Sequence, residues 1–114
     1  MLRREIRKYL YDMKLACELL EQFTVGKTLA DYKQDPMLRS AVERQFSIIG
    51  EALSQALRLD SGLAPRITST ADIIAFRNRL IHGYTDVSEG LVWNILQTDL
   101  PALRLEVEAL LAES

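Results

Sequence analysis

The stretch PMLRSAVERQFSIIGEALSQALRLD, residues 36–60, decides the fold class. Its apolar residues recur at steps of three and four, the pattern of one face of an α-helix; they are Leu38, Val42, Phe46, Ile49, Leu53 and Leu57. Asp35 and Pro36 form a typical N-cap and first-turn pair, and Ser61 and Gly62 end the pattern. We therefore predict one long amphipathic helix over this stretch.

Gly50 lies in the interior of this predicted helix. A glycine in a helix interior costs about 1 kcal/mol relative to alanine, so a close backbone approach is expected there. Either another helix or a second subunit could supply it.

Two more long helices are predicted, one on each side. Residues 2–23 carry an apolar stripe made of Leu2, Ile6, Leu10, Met13, Cys17, Leu20 and Phe23. Ser88 caps the last helix, in which Pro101 is expected to impose a kink or a restart near Asp99. Its apolar residues are Leu91, Val92, Ile95, Leu96, Leu103, Val107 and Leu110. Between Gly26 and Asp35 we expect a short polar connection, with or without a helical turn.

A shorter helix is predicted between the second and the last of these. Thr68 or Ser69 can cap it, Asp72 completes a near capping box, and Gly83 is expected to end it. No strand pattern competes with the helical one. We therefore predict an all-α fold, an antiparallel bundle of four to five helices in a single domain over residues 1–114.

The composition fits an ordinary soluble protein, with 48% hydrophobic and 26% charged residues. No apolar run approaches the roughly 18 residues of a membrane span, and the N-terminus lacks the apolar core of a signal peptide, so we expect a cytoplasmic protein with no membrane partner. A net charge of −2 argues against a broad basic surface, so any contact with RNA must be local.

One cysteine and one histidine leave little for a metal site. Cys17 has no partner for a disulfide and fits a buried position in the first helix. We expect no metal and no cofactor.

The segment RNRLIHGY, residues 77–84, concentrates the residues with chemical potential, namely Arg77, Asn78, Arg79, His82 and Tyr84. His82, the only histidine, can exchange protons near neutral pH, and Arg77 is the first choice for binding phosphate oxygens. These two side chains suit cleavage of RNA by its own 2′-hydroxyl without a metal. If base and acid are separate histidines, a homodimer would supply the second one.

The chain resembles the HepT-like family of the HEPN superfamily. The family's arginine, four intervening residues, histidine, one residue and tyrosine are matched by Arg77, His82 and Tyr84, and Asn78 fits the family's polar residue after the arginine. RQFSIIGEAL, residues 44–53, resembles the family's second-helix core.

This resemblance implies a HEPN-like homodimer and an endoribonuclease toxin of a type VII-like toxin–antitoxin module. Its partner would be a small nucleotidyltransferase antitoxin that adenylylates the motif tyrosine, here Tyr84. Arg77 and His82 would be catalytic, with Asn78, Arg79 and Tyr84 in support.

Several alternatives stay open on sequence alone. The cluster could be a solvated helix end, and the protein could be a non-catalytic subunit that presents substrate or nucleotide to a nucleotidyltransferase. Glu51 could hold an arginine of the signature or be solvent exposed. The basic residues Arg3, Arg4, Arg7 and Lys8 could follow RNA phosphates or form a solvated helix face.

Overall fold

A computed structural model describes residues 2–82 and 87–113, and in these ranges every regular element is helical. In chain order the elements are α1 (Arg4–Thr24), α2 (Leu29–Gln34), α3 (Pro36–Leu59), a 3₁₀ helix (Ser61–Arg66), α4 (Thr70–His82) and α5 (Glu89–Ala112). The predicted all-α bundle is confirmed, while the homodimer stays a prediction. No helix among the described residues is long and apolar enough to cross a membrane.

The core lies mainly between α1 and α3, which pack along most of their length. The predicted stripes face inward: Ile6, Leu10, Met13, Cys17 and Leu20 of α1 are buried, as are Leu38, Val42, Phe46, Ile49 and Leu53 of α3. Complete burial of each large apolar side chain contributes about 1.5–3 kcal/mol, so this seam holds the molecule together. Asp35 begins α3 as predicted, because its Oδ1 accepts from the backbone N–H groups of Met37 and Leu38 at 3.0 and 3.1 Å.

Cys17 is a core residue, as its position in the first helix indicated. Burial raises the pKa of its thiol to about 12. The thiol therefore stays neutral at physiological pH and acts as a small apolar side chain.

The connection between the first two long helices contains the short helix α2. A capping box begins it: Thr28 Oγ1 accepts from the N–H of Asp31 at 3.2 Å, and the Asp31 carboxylate accepts from the N–H of Thr28 at 2.9 Å. The second bond also lowers the pKa of Asp31. Tyr32 of this helix is fully buried, with its ring 5.6 Å from that of Trp93, so the segment is part of the core rather than a polar loop.

Of the two predicted caps of α4, Ser69 lies directly before the first helical residue, and its carbonyl accepts from the N–H of Ile73 at 2.9 Å. The hydroxyl of Thr68 instead donates to the Glu106 carboxylate at 2.6 Å and links the connection to α5. Of the kink and the restart predicted as alternatives near Asp99, the restart is wrong, because α5 is continuous from Glu89 to Ala112. Leu100 and Leu103 are buried on either side of Pro101 and hold both halves of α5 against the core.

The helices α4 and α5 pack against different parts of the bundle. Helix α4 packs against α3, whereas α5 packs against α1 and α2. Although α4 and α5 follow each other in the chain, they hardly touch. Within residues 2–82 and 87–113, α4 is therefore supported mainly from the side of α3.

Candidate active site at the end of the fourth helix

Arg77 lies where α4 passes close to α3 at Gly50. A Cβ atom built on Gly50 would be 2.3 Å from Cβ and 2.5 Å from Cγ of Arg77, which is closer than real side chains come. The close approach predicted at Gly50 is confirmed, and a helix of the same chain supplies it. The glycine thus lets the stem of Arg77 lie directly on the backbone of α3.

The guanidinium of Arg77 is held at both of its terminal nitrogens. Nη2 pairs with the Glu51 carboxylate, and Nη1 donates to Asn78 Oδ1 at 2.9 Å. Gln55 Nε2 in turn donates to Glu51 Oε1 at 3.0 Å. The chain Gln55–Glu51–Arg77–Asn78 therefore fixes the plane of the guanidinium. Only 23% of the Arg77 side chain is exposed, against 48% for Glu51.

Glu51 is the residue that sequence reasoning could not place. Of the two alternatives, contact with a signature arginine is the one observed, although the carboxylate also faces solvent. The sequence feature that could have predicted this contact is Gly50. A close approach of another helix at Gly50 brings that helix within reach of the next side chain, Glu51.

His82 is the last residue of α4 and is exposed, as the sequence predicted. It lies about 140° from Arg77 around the helix axis. No hydrogen bond or ion pair within residues 2–82 and 87–113 joins these two side chains. Within one protomer, regular helical geometry therefore puts the arginine and the histidine on different faces of one helix end.

Arg79 lies about 200° around α4 from Arg77 and is separated from it. It lines a cleft of about 290 Å³ between α4 and α5. Tyr84, the predicted modification site, and Gly83, the predicted helix end, are outside the described residues. The signature thus reaches two surfaces: Arg77 and Asn78 beside α3, and Arg79 toward α5.

The basic residues at the N-terminus lie on the exposed side of α1. Lys8 forms an ion pair with Asp12 at 3.7 Å, four residues further along the helix. In the part of the chain that the structure describes, no three His, Cys, Asp or Glu side chains are close enough to hold a metal ion.

Comparison with known proteins identifies the family of this site. A model of the family described as Ribonuclease HepT-like matches residues 13–110. This range contains the whole signature, residues 77–84. A Thermococcus cleftensis protein named "Probable ribonuclease HepT" is 32% identical over 109 residues, covering 96% of this chain and 98% of that protein.

A second relative is longer. A Methanocaldococcus jannaschii protein, named as a gamma-glutamylcyclotransferase and proposed RNase, is 30% identical over 112 residues. The match covers 98% of this chain but 50% of that protein, so the chain spans about half its length. No solved structure matches. From the family model and the full-length relative, the chain belongs to the Ribonuclease HepT-like family.

Proposed function

We propose that this protein is an RNA endonuclease whose chemistry is carried by Arg77 and His82 and needs no metal ion. The observation that carries the proposal is the end of α4, where a guanidinium held by Glu51 and Asn78 is followed five residues later by an exposed histidine. The name of the family and the names of the two relatives described above support the same activity.

The proposed reaction is attack by the RNA 2′-hydroxyl on the adjacent phosphorus. An O2′–P bond forms and the P–O5′ bond breaks, leaving a 2′,3′-cyclic phosphate and a 5′-hydroxyl. An imidazole such as that of His82 can take the proton from O2′ or give one to O5′. A guanidinium such as that of Arg77 stabilises the additional negative charge of the phosphate in the transition state.

A homodimer would complete this site. Each chain has one histidine, so two chains arranged about a two-fold axis would supply one imidazole as base and one as acid. The same arrangement would concentrate positive charge in one groove of a protein whose net charge is −2 per chain.

We also propose that the protein is a toxin controlled by a small nucleotidyltransferase. The resemblance of the motif supports adenylylation of Tyr84, two residues after His82. Added phosphates beside the histidine would repel RNA and occupy the arginines. Mass spectrometry of the peptide containing Tyr84, after incubation with such an enzyme and ATP, would detect the transferred groups; an unmodified peptide would contradict this form of control.

Glu51 has a positioning role in this proposal, since it touches Arg77 and not the reacting atoms. Glu51→Ala is expected to lower kcat about 10- to 100-fold with a smaller change in KM, because a hydrogen bond to a charged group is typically worth about 1.5–3 kcal/mol. Glu51→Gln, which keeps an acceptor for the guanidinium, should recover most of the rate. Glu5→Ala, which removes an exposed carboxylate of α1, is the control. A wild-type kcat in Glu51→Ala would show that the ion pair has no catalytic role.

The activity itself is tested with purified wild-type protein and total cellular RNA in the presence of EDTA. We expect cleavage, with 2′,3′-cyclic phosphate and 5′-hydroxyl ends identified by enzymatic end-labelling. Cleavage only after addition of a divalent cation would contradict the metal-independent mechanism. If a dimeric wild-type protein cleaves no RNA under either condition, the non-catalytic binding subunit becomes the better description.

A further inference from the structure

The cleft between α4 and α5 is a second feature of the signature helix that the proposed chemistry does not use. It exists because α4 is held by α3 while α5 is held by α1 and α2, which leaves about 290 Å³ between them. Arg79 lines the cleft and lies one helical turn before the exposed His82. A group bound in the cleft would therefore lie near His82, one of the two residues of the proposed reaction centre.

The walls of the cleft are apolar and its remaining groups are polar. Ala75, Phe76, Leu91 and Ile95 form the apolar part, and Asp72, Arg79, Asn94 and Asp99 the polar part. Thr68, just before α4, donates to Glu106 of α5, so the start of α4 lies beside the C-terminal half of α5 and the two helices run in opposite directions. Arg79 and Leu91 therefore lie at the signature end of the cleft, and Asp72 and Asp99 lie at the far end. Asp72 and Arg79 are seven residues apart, which is a rise of about 10.5 Å along the helix.

Resting on the proposed ribonuclease function, we propose that this cleft binds one base of the substrate RNA and that this base is guanine. Guanine is flat and apolar on its faces, which suits the walls, and single-stranded RNA can place an unstacked base in such a cleft. Its N1–H and N2–H₂ groups are adjacent donors, and the carboxylates of Asp72 and Asp99 are acceptors only. Its O6 and N7 are the acceptors that arginine binds, which places them toward Arg79.

The other bases and the phosphate fit this lining less well. Adenine and cytosine each offer an amino group beside a ring nitrogen that accepts, and uracil offers one N–H between two carbonyl oxygens, so a carboxylate would meet acceptors in each case. A phosphate would be repelled by the two carboxylates at the far end. With the base in the cleft, the attached phosphate would remain outside it, on the side of His82.

The test uses short uridine-rich RNAs that differ at one position, which is G, A, C or U. Single-turnover cleavage is measured for wild type, Asp72→Asn, Asp99→Asn and Asn94→Ala, with Gln97→Ala as an exposed control on α5 outside the cleft. Affinity for the same sequences, made uncleavable by a 2′-deoxy group at the cut site, is measured by fluorescence anisotropy. Size-exclusion chromatography with light scattering follows the oligomeric state of every variant.

We expect wild type and Gln97→Ala to favour the G-containing RNA by about tenfold or more in rate or affinity, and each cleft variant to lose most of that preference. RNA cleavage without a preference for G, or with one that the cleft variants keep, would overturn this inference and leave the proposed function standing. A G-dependent affinity lost in the cleft variants but without cleavage would overturn the proposed function alone. Loss of the dimer in the cleft variants would show that a second copy covers the cleft, which overturns the base site.

Discussion

His82→Ala is expected to reduce RNA cleavage by about 10²- to 10⁴-fold, the usual contribution of a general acid or base, while the protein stays folded. The histidine is exposed at the end of α4, so its removal takes nothing from the core. Cleavage rates on a defined RNA and far-ultraviolet circular dichroism measure the two parts of this prediction.

Arg77→Ala is the companion variant, and Arg58→Ala is its matched control. Arg58 is an exposed arginine in the last turn of α3, so its loss removes the same charge away from the signature. We expect Arg58→Ala to cleave like wild type and Arg77→Ala to be strongly impaired. Full activity in a folded His82→Ala variant would remove the histidine from the mechanism.

Gly50→Ala is expected to destabilise the protein and impair cleavage together. The added methyl group would lie 2.3 Å from Cβ of Arg77, an atom fixed to the backbone of α4, so the two helices must move apart. Overpacking of this kind costs about 1–3 kcal/mol, and the severity of this contact favours the upper part of that range. The gain in helix propensity, about 1 kcal/mol, offsets only part of it. Urea denaturation of wild type and variant measures the free energy of unfolding.

Gly90→Ala provides the matched control for this change. Gly90 lies in the first turn of α5, and a Cβ atom there would have no atom within 4 Å. The same substitution should therefore be neutral or stabilising, by up to about 1 kcal/mol, with unchanged cleavage. A Gly50→Ala protein as stable and as active as Gly90→Ala would show that α3 and α4 tolerate a wider separation without consequence for Arg77.

The long helices could be predicted because their apolar periodicity and their caps agree. Asp35 and Ser88 begin α3 and α5 as their positions indicated. The short helix α2 was not predicted as such, although Thr28 and Asp31 have capping-box spacing, because six residues are too few to show a helical period. Pro101 predicted a kink or a restart from local propensity alone. The restart does not occur, because residues buried on both sides of the proline hold α5 against the core as one helix.

The sequence singles out the candidate residues but does not predict their contacts. The density of polar groups in residues 77–84 marked the signature, whereas the partner of Arg77 depends on how α3 is rotated about its own axis. Helical geometry also places Arg77 and Arg79 on different faces of α4, although the two residues are close neighbours in the sequence. Which helices pack against α4 depends on how the helices are arranged in the bundle, and the apolar periodicity of the sequence does not predict that arrangement.

The one-sided support of α4 has a consequence for motion. Only Ile73 and Phe76 are buried among its thirteen residues, compared with six buried residues in α1, so less apolar surface holds it in place. Segments with few buried contacts open at a lower free-energy cost than the whole molecule unfolds. The helix that carries the signature should thus separate from the core more readily than α1 and α3, and its amide hydrogens should exchange with solvent before theirs.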